Sequence, residues 1–166
     1  MNDFHDRLIK LVGHQCQVIE IKSGEFVLHV ALAELVGVLK ALRDDTELAV
    51  TQLSDLTAVD FPERLERFDV VYQMLSVNNN MRLRIITRAD EGDIVPSVIG
   101  LFRSADWAER EVWDMFGIYF SGHPDMRRLL TDYGFEGHPL RKDFPLTGYV
   151  EVRYSDTERR VVYEPV

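Results

Sequence analysis

Residues 109–143 hold the side chains best suited to chemistry. Glu111 and Asp114 lie three apart, so on a helix they share a face, and with His123 and His138 downstream they form a carboxylate–histidine set of the kind that binds metal or moves protons. The spacing argues against that use: His-x14-His is not a separation that any metal geometry specifies, and paired helix carboxylates are common on solvated faces. Ion pairing among Glu109, Arg110, Glu111 and Asp114, at the helix surface or at an interface, is the plainer role.

The same region contains an internal echo. Gly122-His123-Pro124-Asp125-Met126-Arg127-Arg128 is followed 15 residues on by Gly137-His138-Pro139-Leu140-Arg141-Lys142-Asp143. Each proline holds the preceding histidine extended, and each glycine opens backbone geometry closed to other residues, so both turns can present cations at fixed positions. Arginines fixed in this way suit bidentate capture of carboxylates. They serve either to dock an acidic patch of a partner or to pair with Asp125, Asp132, Glu136 and Asp143, because residues 121–145 hold four bases and four acids. A phosphate cradle is a poorer fit, since neither turn is a glycine-rich strand-to-helix loop, and nowhere does a nucleophile stand with a plausible base.

The elements that must position these residues follow from periodicity. Phe4, Leu8, Leu11 and Val12 predict a helix over 3–12 that stops at Gly13, and Leu35, Val38, Leu39 and Leu42 predict a second over 32–43. Runs at 16–22 and 25–31 predict a hairpin about Ser23-Gly24, with further strands at 47–53, 56–61, 68–74 and 81–85, the last two joined by Asn78-Asn79-Asn80. Pro96 suits the first turn of a helix carrying Val98, Ile99, Leu101 and Phe102. Ser104 as N-cap, a stripe of Ala105, Ala108, Val112 and Met115, and Gly117 as C-terminal stop predict a helix over 105–116. Beyond it, glycines and prolines leave little room for regular structure apart from a turn near 126–132. The expected fold is α+β: a mostly antiparallel sheet with helices packed on it (1–93), a C-terminal helical segment (94–117), and a long extended Gly/Pro-rich arm (118–166). An aromatic-rich arm without its own helix or sheet is explained if it lies along another protein.

Composition narrows the classes. At 166 residues the chain has the size of one domain, and its 19 basic against 28 acidic residues give a net charge of −9, unfavourable for nucleic acid or anionic membrane. One cysteine, Cys16, excludes both an internal disulfide and four-thiolate ligation of an iron–sulfur cluster within the chain. His5, His14 and His29 are scattered singly. The sequence lacks a secretory leader or an apolar run of membrane-spanning length, which implies a reducing, intracellular setting with membrane contact only through other chains.

The run Glu109-Arg110-Glu111-Val112-Trp113-Asp114-Met115-Phe116-Gly117-Ile118, then Phe120 and Gly122 to Leu130, resembles the signature of the 30-kDa subunit family of respiratory complex I. The likeness continues through Asp132 to Leu146, Gly148, Glu151 to Tyr154 and Glu164-Pro165-Val166, and reaches back to Leu56-Thr57-Ala58-Val59-Asp60-Phe61-Pro62. It implies a scaffold without a redox centre in the peripheral arm of an NADH:quinone oxidoreductase, placed beside the 49-kDa-type quinone-site subunit and cluster-bearing neighbours. FMN, iron–sulfur clusters and quinone are then expected on other subunits, with no catalytic, cofactor or metal residue here. The implied location is peripheral, on the cytoplasmic face of a bacterial inner membrane or the matrix side of the mitochondrial one. Expected partner-interface residues are Glu109, Glu111, Asp114, Phe120, His123, Arg127, Arg128, His138, Arg141, Lys142, Asp143, Phe144 and Tyr154. Many members of that family continue past the Glu-Pro-Val motif into an aromatic and basic tail. Related membrane-bound hydrogenases and photosynthetic-type dehydrogenases share the module, and an independent metal hydrolase built on Glu111, Asp114, His123 and His138 is the alternative from a different class.

Overall fold

The computed structural model describes residues 2–22 and 25–166, without the side chains of residues 2 and 17–22. The Ser23-Gly24 turn expected between the first two strands lies outside the described residues. The architecture is α+β and mostly sheet. Helix α1 (Asn2–Val12) is followed by strands β1 (Cys16–Lys22) and β2 (Glu25–Val30), a 3-10 turn (Leu32–Glu34) and α2 (Leu35–Asp44). Strands β3 (Gln52–Asp60), β4 (Phe68–Ser76) and β5 (Met81–Ala89) complete a five-stranded sheet of order β1-β2-β5-β4-β3. All its pairs are antiparallel except β2 with β5, which run parallel with Phe26 opposite Leu83 and Leu28 opposite Ile85.

Alternation along the strands sorts the two faces. Phe26, Leu28, Leu56, Ala58, Phe68, Val70, Tyr72, Met74, Leu83 and Ile85 enter one core with Leu8 and Val12 of α1 and the Leu35, Val38, Leu39 and Leu42 stripe of α2. The opposite face carries Asp69, Gln73, Arg82, Arg84 and Arg88. Helix α3 (Ala105–Phe116) packs against β3, adding Ala105, Val112, Met115 and Phe116 to the same core.

Four expectations need correction. Residues 47–51 are not strand: the Asp45 carboxylate accepts hydrogen bonds from the backbone N–H of Glu47 and Leu48 at 3.0 and 2.9 Å, and Ala49 takes φ 44°. That tight turn delays the strand to Gln52, which then runs unbroken to Asp60 through an irregularity between Leu53 and Asp55. Pro96 does not open a helix. It ends β6 (Ile94–Pro96), which pairs in parallel with β7 (Tyr119–Ser121), and Val98 to Phe102 make one turn closed by two hydrogen bonds to the Val98 carbonyl. Ser104 donates its hydroxyl to the Leu53 carbonyl at 3.0 Å and caps nothing, so it ties α3 to β3 instead.

The fourth correction concerns the C-terminal third. Its final residues form a hairpin of β8 (Val150–Ser155) and β9 (Arg160–Pro165), and residues 122–144 fold back onto α3 and the end of β3. No helix of the described residues is long and apolar enough to cross a membrane.

Candidate functional site: a carboxylate clamp and an apolar ribbon

Helix α3 carries two acids on its inner side, each answered by its own chain. Glu109 occupies a position of the buried stripe. Its Oε1 accepts from the Val98 N–H at 2.7 Å and its Oε2 from the Ser97 hydroxyl at 2.6 Å, so it fixes the turn that follows β6. Burial pushes its carboxyl above the usual carboxylate range, against those hydrogen bonds and nearby His123.

Asp114 gathers the chain beyond α3. Its carboxylate accepts from the backbone N–H groups of Leu129, Leu130 and Thr131 at 2.8–3.0 Å, from the Thr131 hydroxyl at 2.6 Å and from Arg128 Nη1 at 2.8 Å. Burial opposes its ionisation, yet the Thr131, Leu129 and Leu130 donors outweigh that penalty and hold it well below the ordinary carboxylate range. Its backbone carbonyl faces His138 Nδ1 at 2.9 Å. Burial, chiefly, then keeps His138 below its ordinary pKa.

Gly117, at φ 79°, ends the helix as the sequence predicts, its N–H donating to the Trp113 carbonyl at 2.8 Å. A Cβ there would lie 2.6 Å from Arg141 Nη2 and 2.7 Å from the His138 ring, so glycine also permits the clamp to close. Arg141 Nε donates to the Phe116 carbonyl at 2.5 Å and Nη1 to Glu91 at 2.6 Å. Beside it, buried Asp60 accepts both forks of Arg67 at 2.7 and 2.9 Å and the Lys142 N–H at 2.7 Å, while Arg67 also reaches Asp143 at 3.0 Å. Hydrogen bonding to Arg67 is the main reason Asp60 and Asp143 ionise more readily than usual.

The expected interface residues thus divide. Glu109, Asp114 and Phe120 are fully buried within this chain, as is the His123 imidazole. His123 Nδ1 accepts from the Asp125 N–H at 3.1 Å, which leaves Nε2 as the donor toward the Asp106 carbonyl at 3.0 Å. Arg128, His138 and Arg141 are spent inside the clamp on the Gly137, Asp114 and Phe116 carbonyls and on the Asp114 and Glu91 carboxylates, while Asp143 accepts from Arg67. Glu111, Arg127 and the Lys142 side chain point outward, Arg127 pairing with Asp125 at 2.7 Å. Phe144 packs edge-on to Tyr149 at 5.5 Å between centroids, and Tyr154 is exposed. The carboxylate–histidine metal set does not assemble, and among the described residues no three His, Cys, Asp or Glu side chains are grouped to hold an ion.

Asp60, Arg67, Glu91 and Thr131 were not foreseen, nor was the outermost feature. On one face of the β8–β9 ribbon Val150, Val152 and Tyr154 stand opposite Pro165, Tyr163 and Val161, and the five side chains other than proline are each about half exposed or more. The other face carries the Arg153–Glu164 ion pair. The 2-residue alternation of 150–154 was the available signal.

These features define a class of protein: an α+β body that presents an internally clamped segment and an unburied ribbon, with Asp60, Glu109 and Asp114 engaged in structure. Comparison supplies the family. The model of the respiratory-chain NADH dehydrogenase 30 Kd subunit matches residues 28–150, and the chain belongs to that family. The corresponding NADH-quinone oxidoreductase subunit of Brucella abortus (strain 2308) is 57% identical over 155 residues, covering 93% of this chain and 77% of that protein. Its counterpart in Brucella ovis matches to the same extent. Among solved structures, one described as the trypsin-resistant fragment (1-134) of Nqo5 superposes with TM-score 0.65 at 27% identity, covering 74% of this chain and 98% of the fragment. A protein from an archaeal membrane-bound sulfane sulfur reductase shares the fold, with TM-score 0.76 at 21% identity over 87% of this chain and 85% of that one.

Proposed function

We propose that this chain is a scaffold without redox chemistry in the peripheral arm of an NADH:quinone oxidoreductase, where it holds the 49-kDa-type quinone-site subunit. Electrons pass from NADH to quinone through neighbouring subunits, which carry the FMN, the iron–sulfur clusters and the quinone. The complex brings the chain to the cytoplasmic face of a bacterial inner membrane; no helix among the described residues is long and apolar enough to span it.

The observation that carries this reading is the β8–β9 ribbon. An isolated two-stranded hairpin is marginal in water, and this one leaves Val150, Val152, Tyr154, Val161 and Tyr163 exposed on one side. A surface of that kind is stable when a neighbour covers it. The clamp around Asp114 and Asp60 supports the same function by fixing residues 128–143, so the ribbon starts from a set position. A relative solved as a trypsin-resistant fragment that matches only part of this chain is consistent with a protected body and a separable end.

The test places a charge on the ribbon. Val152→Glu with Val161→Lys leaves the melting temperature of the isolated chain within about 2 °C, because neither side chain is buried there, and lowers assembled complex and NADH:quinone activity in parallel. Wild-type assembly with the double variant would sink the proposal.

A further inference from the structure

Between residues 132–136 and the base of the ribbon lies a cleft of about 490 Å³. Tyr133, Phe135, Phe144, Tyr149 and Tyr163 line it, and Asp132 and Glu136 are the charged residues at its wall. Tyr163 and Val150 belong both to the cleft and to the apolar ribbon face, so the two surfaces are continuous. Among the described residues neither Asp132 nor Glu136 has an ion-pair partner, although every other acid from 109 to 143 except Glu111 is hydrogen-bonded or paired.

The charge decides what can enter. A neutral apolar segment filling the cleft would strip water from two carboxylates and give them nothing in return, a penalty of the kind that removing one member of a buried ion pair reveals. A cation meets both demands, because aromatic faces attract it and carboxylates pair with it. Guanidinium fits better than ammonium: it is planar, stacks on rings and offers parallel N–H groups to a carboxylate. The chain already uses this chemistry at the cleft wall, where the Arg128 guanidinium lies 5.7 Å from the Phe135 ring centroid.

We propose that the aromatic cleft of residues 132–136, 144, 149 and 163 receives an arginine side chain from an extended segment of the neighbouring subunit that covers the ribbon. The inference rests on the docking role proposed above and adds the chemistry of what docks. The assembled complex tests it, with a photo-reactive benzoylphenylalanine at Tyr133 in one strain and at Tyr154 on the ribbon in another. The Tyr133 probe is expected to cross-link to a partner peptide containing arginine. Replacing Asp132→Asn and Glu136→Gln together is expected to make the chain leave the complex about tenfold more readily, and to weaken the salt dependence of that release. Cross-linking from Tyr133 to a segment without arginine, or back to this chain, would overturn the arginine proposal while ribbon capture from Tyr154 left the docking role standing. Unchanged retention of the Asn/Gln variant would overturn it equally. No partner cross-link from either position would remove both.

Discussion

Asp114 shows how much one side chain can organise. Its five donors come from residues 128–131, and three of them are backbone N–H groups that converge on one carboxylate oxygen. Asp114→Ala orphans that set and is expected to lower unfolding free energy by about 3–5 kcal/mol, measured by denaturant titration of the isolated chain. The sign of its pH dependence follows from its lowered pKa. A carboxylate that ionises more readily folded than unfolded stabilises above the unfolded value, about 3.9, and loses that contribution as pH falls through the folded value. The Asp114 contribution therefore holds at full strength from neutrality to about pH 4 and weakens below. Glu109 runs the other way: its raised pKa means the folded chain binds the proton more tightly, so its contribution declines as pH rises from about 4.3 toward the folded value. Glu109→Gln should flatten that decline, seen as a melting temperature that stays more nearly level across the window in which the wild type's falls. None of this was legible in the sequence. Both acids were visible as candidates, but their partners lie 11 to 17 residues away on segments without periodicity, so spacing could not say whether they faced inward.

At the scale of elements, Gly117 joins two roles at one position. It ends α3 in the left-handed region and leaves room for Arg141 and His138 to close over the helix end. Gly117→Ala is expected to cost about 1–3 kcal/mol from backbone strain alone and to expose residues 138–143 to protease, with faster cleavage there as the check. The helix end was legible because a glycine stop acts through local backbone geometry. The same local logic recovered α1, α2 and the alternating strands β4 and β5. It failed at Pro96, where a proline after an acidic turn suits either a helix start or the end of a strand. Only the parallel partner at Tyr119–Ser121, across the whole of α3, decides between them. It failed again at Ser104, whose hydroxyl found the Leu53 carbonyl before it could find its own helix.

At the scale of the molecule, the body and the ribbon differ in how they are held. The core cluster runs from Leu8 to Phe120, and the clamp ties down residues up to 143, whereas Leu146 and the apolar ribbon residues lie in solvent. Deleting residues 145–166 should leave a two-state melt close to that of the full chain and abolish incorporation into the complex. Native electrophoresis alongside calorimetry would show both, and a truncated chain that unfolds would argue that the ribbon stabilises the body.

The parallel pairing of β2 with β5 has a consequence for synthesis. β5 sits between β2 and β4, so as the chain leaves the ribosome the β1–β2 and β3–β4 hairpins can each form early, yet neither can join the other. The sheet stays in two halves until Met81–Ala89 emerges and bridges them, a non-local step that slows folding and leaves the facing edges of β2 and β4 open to mispairing in the interval.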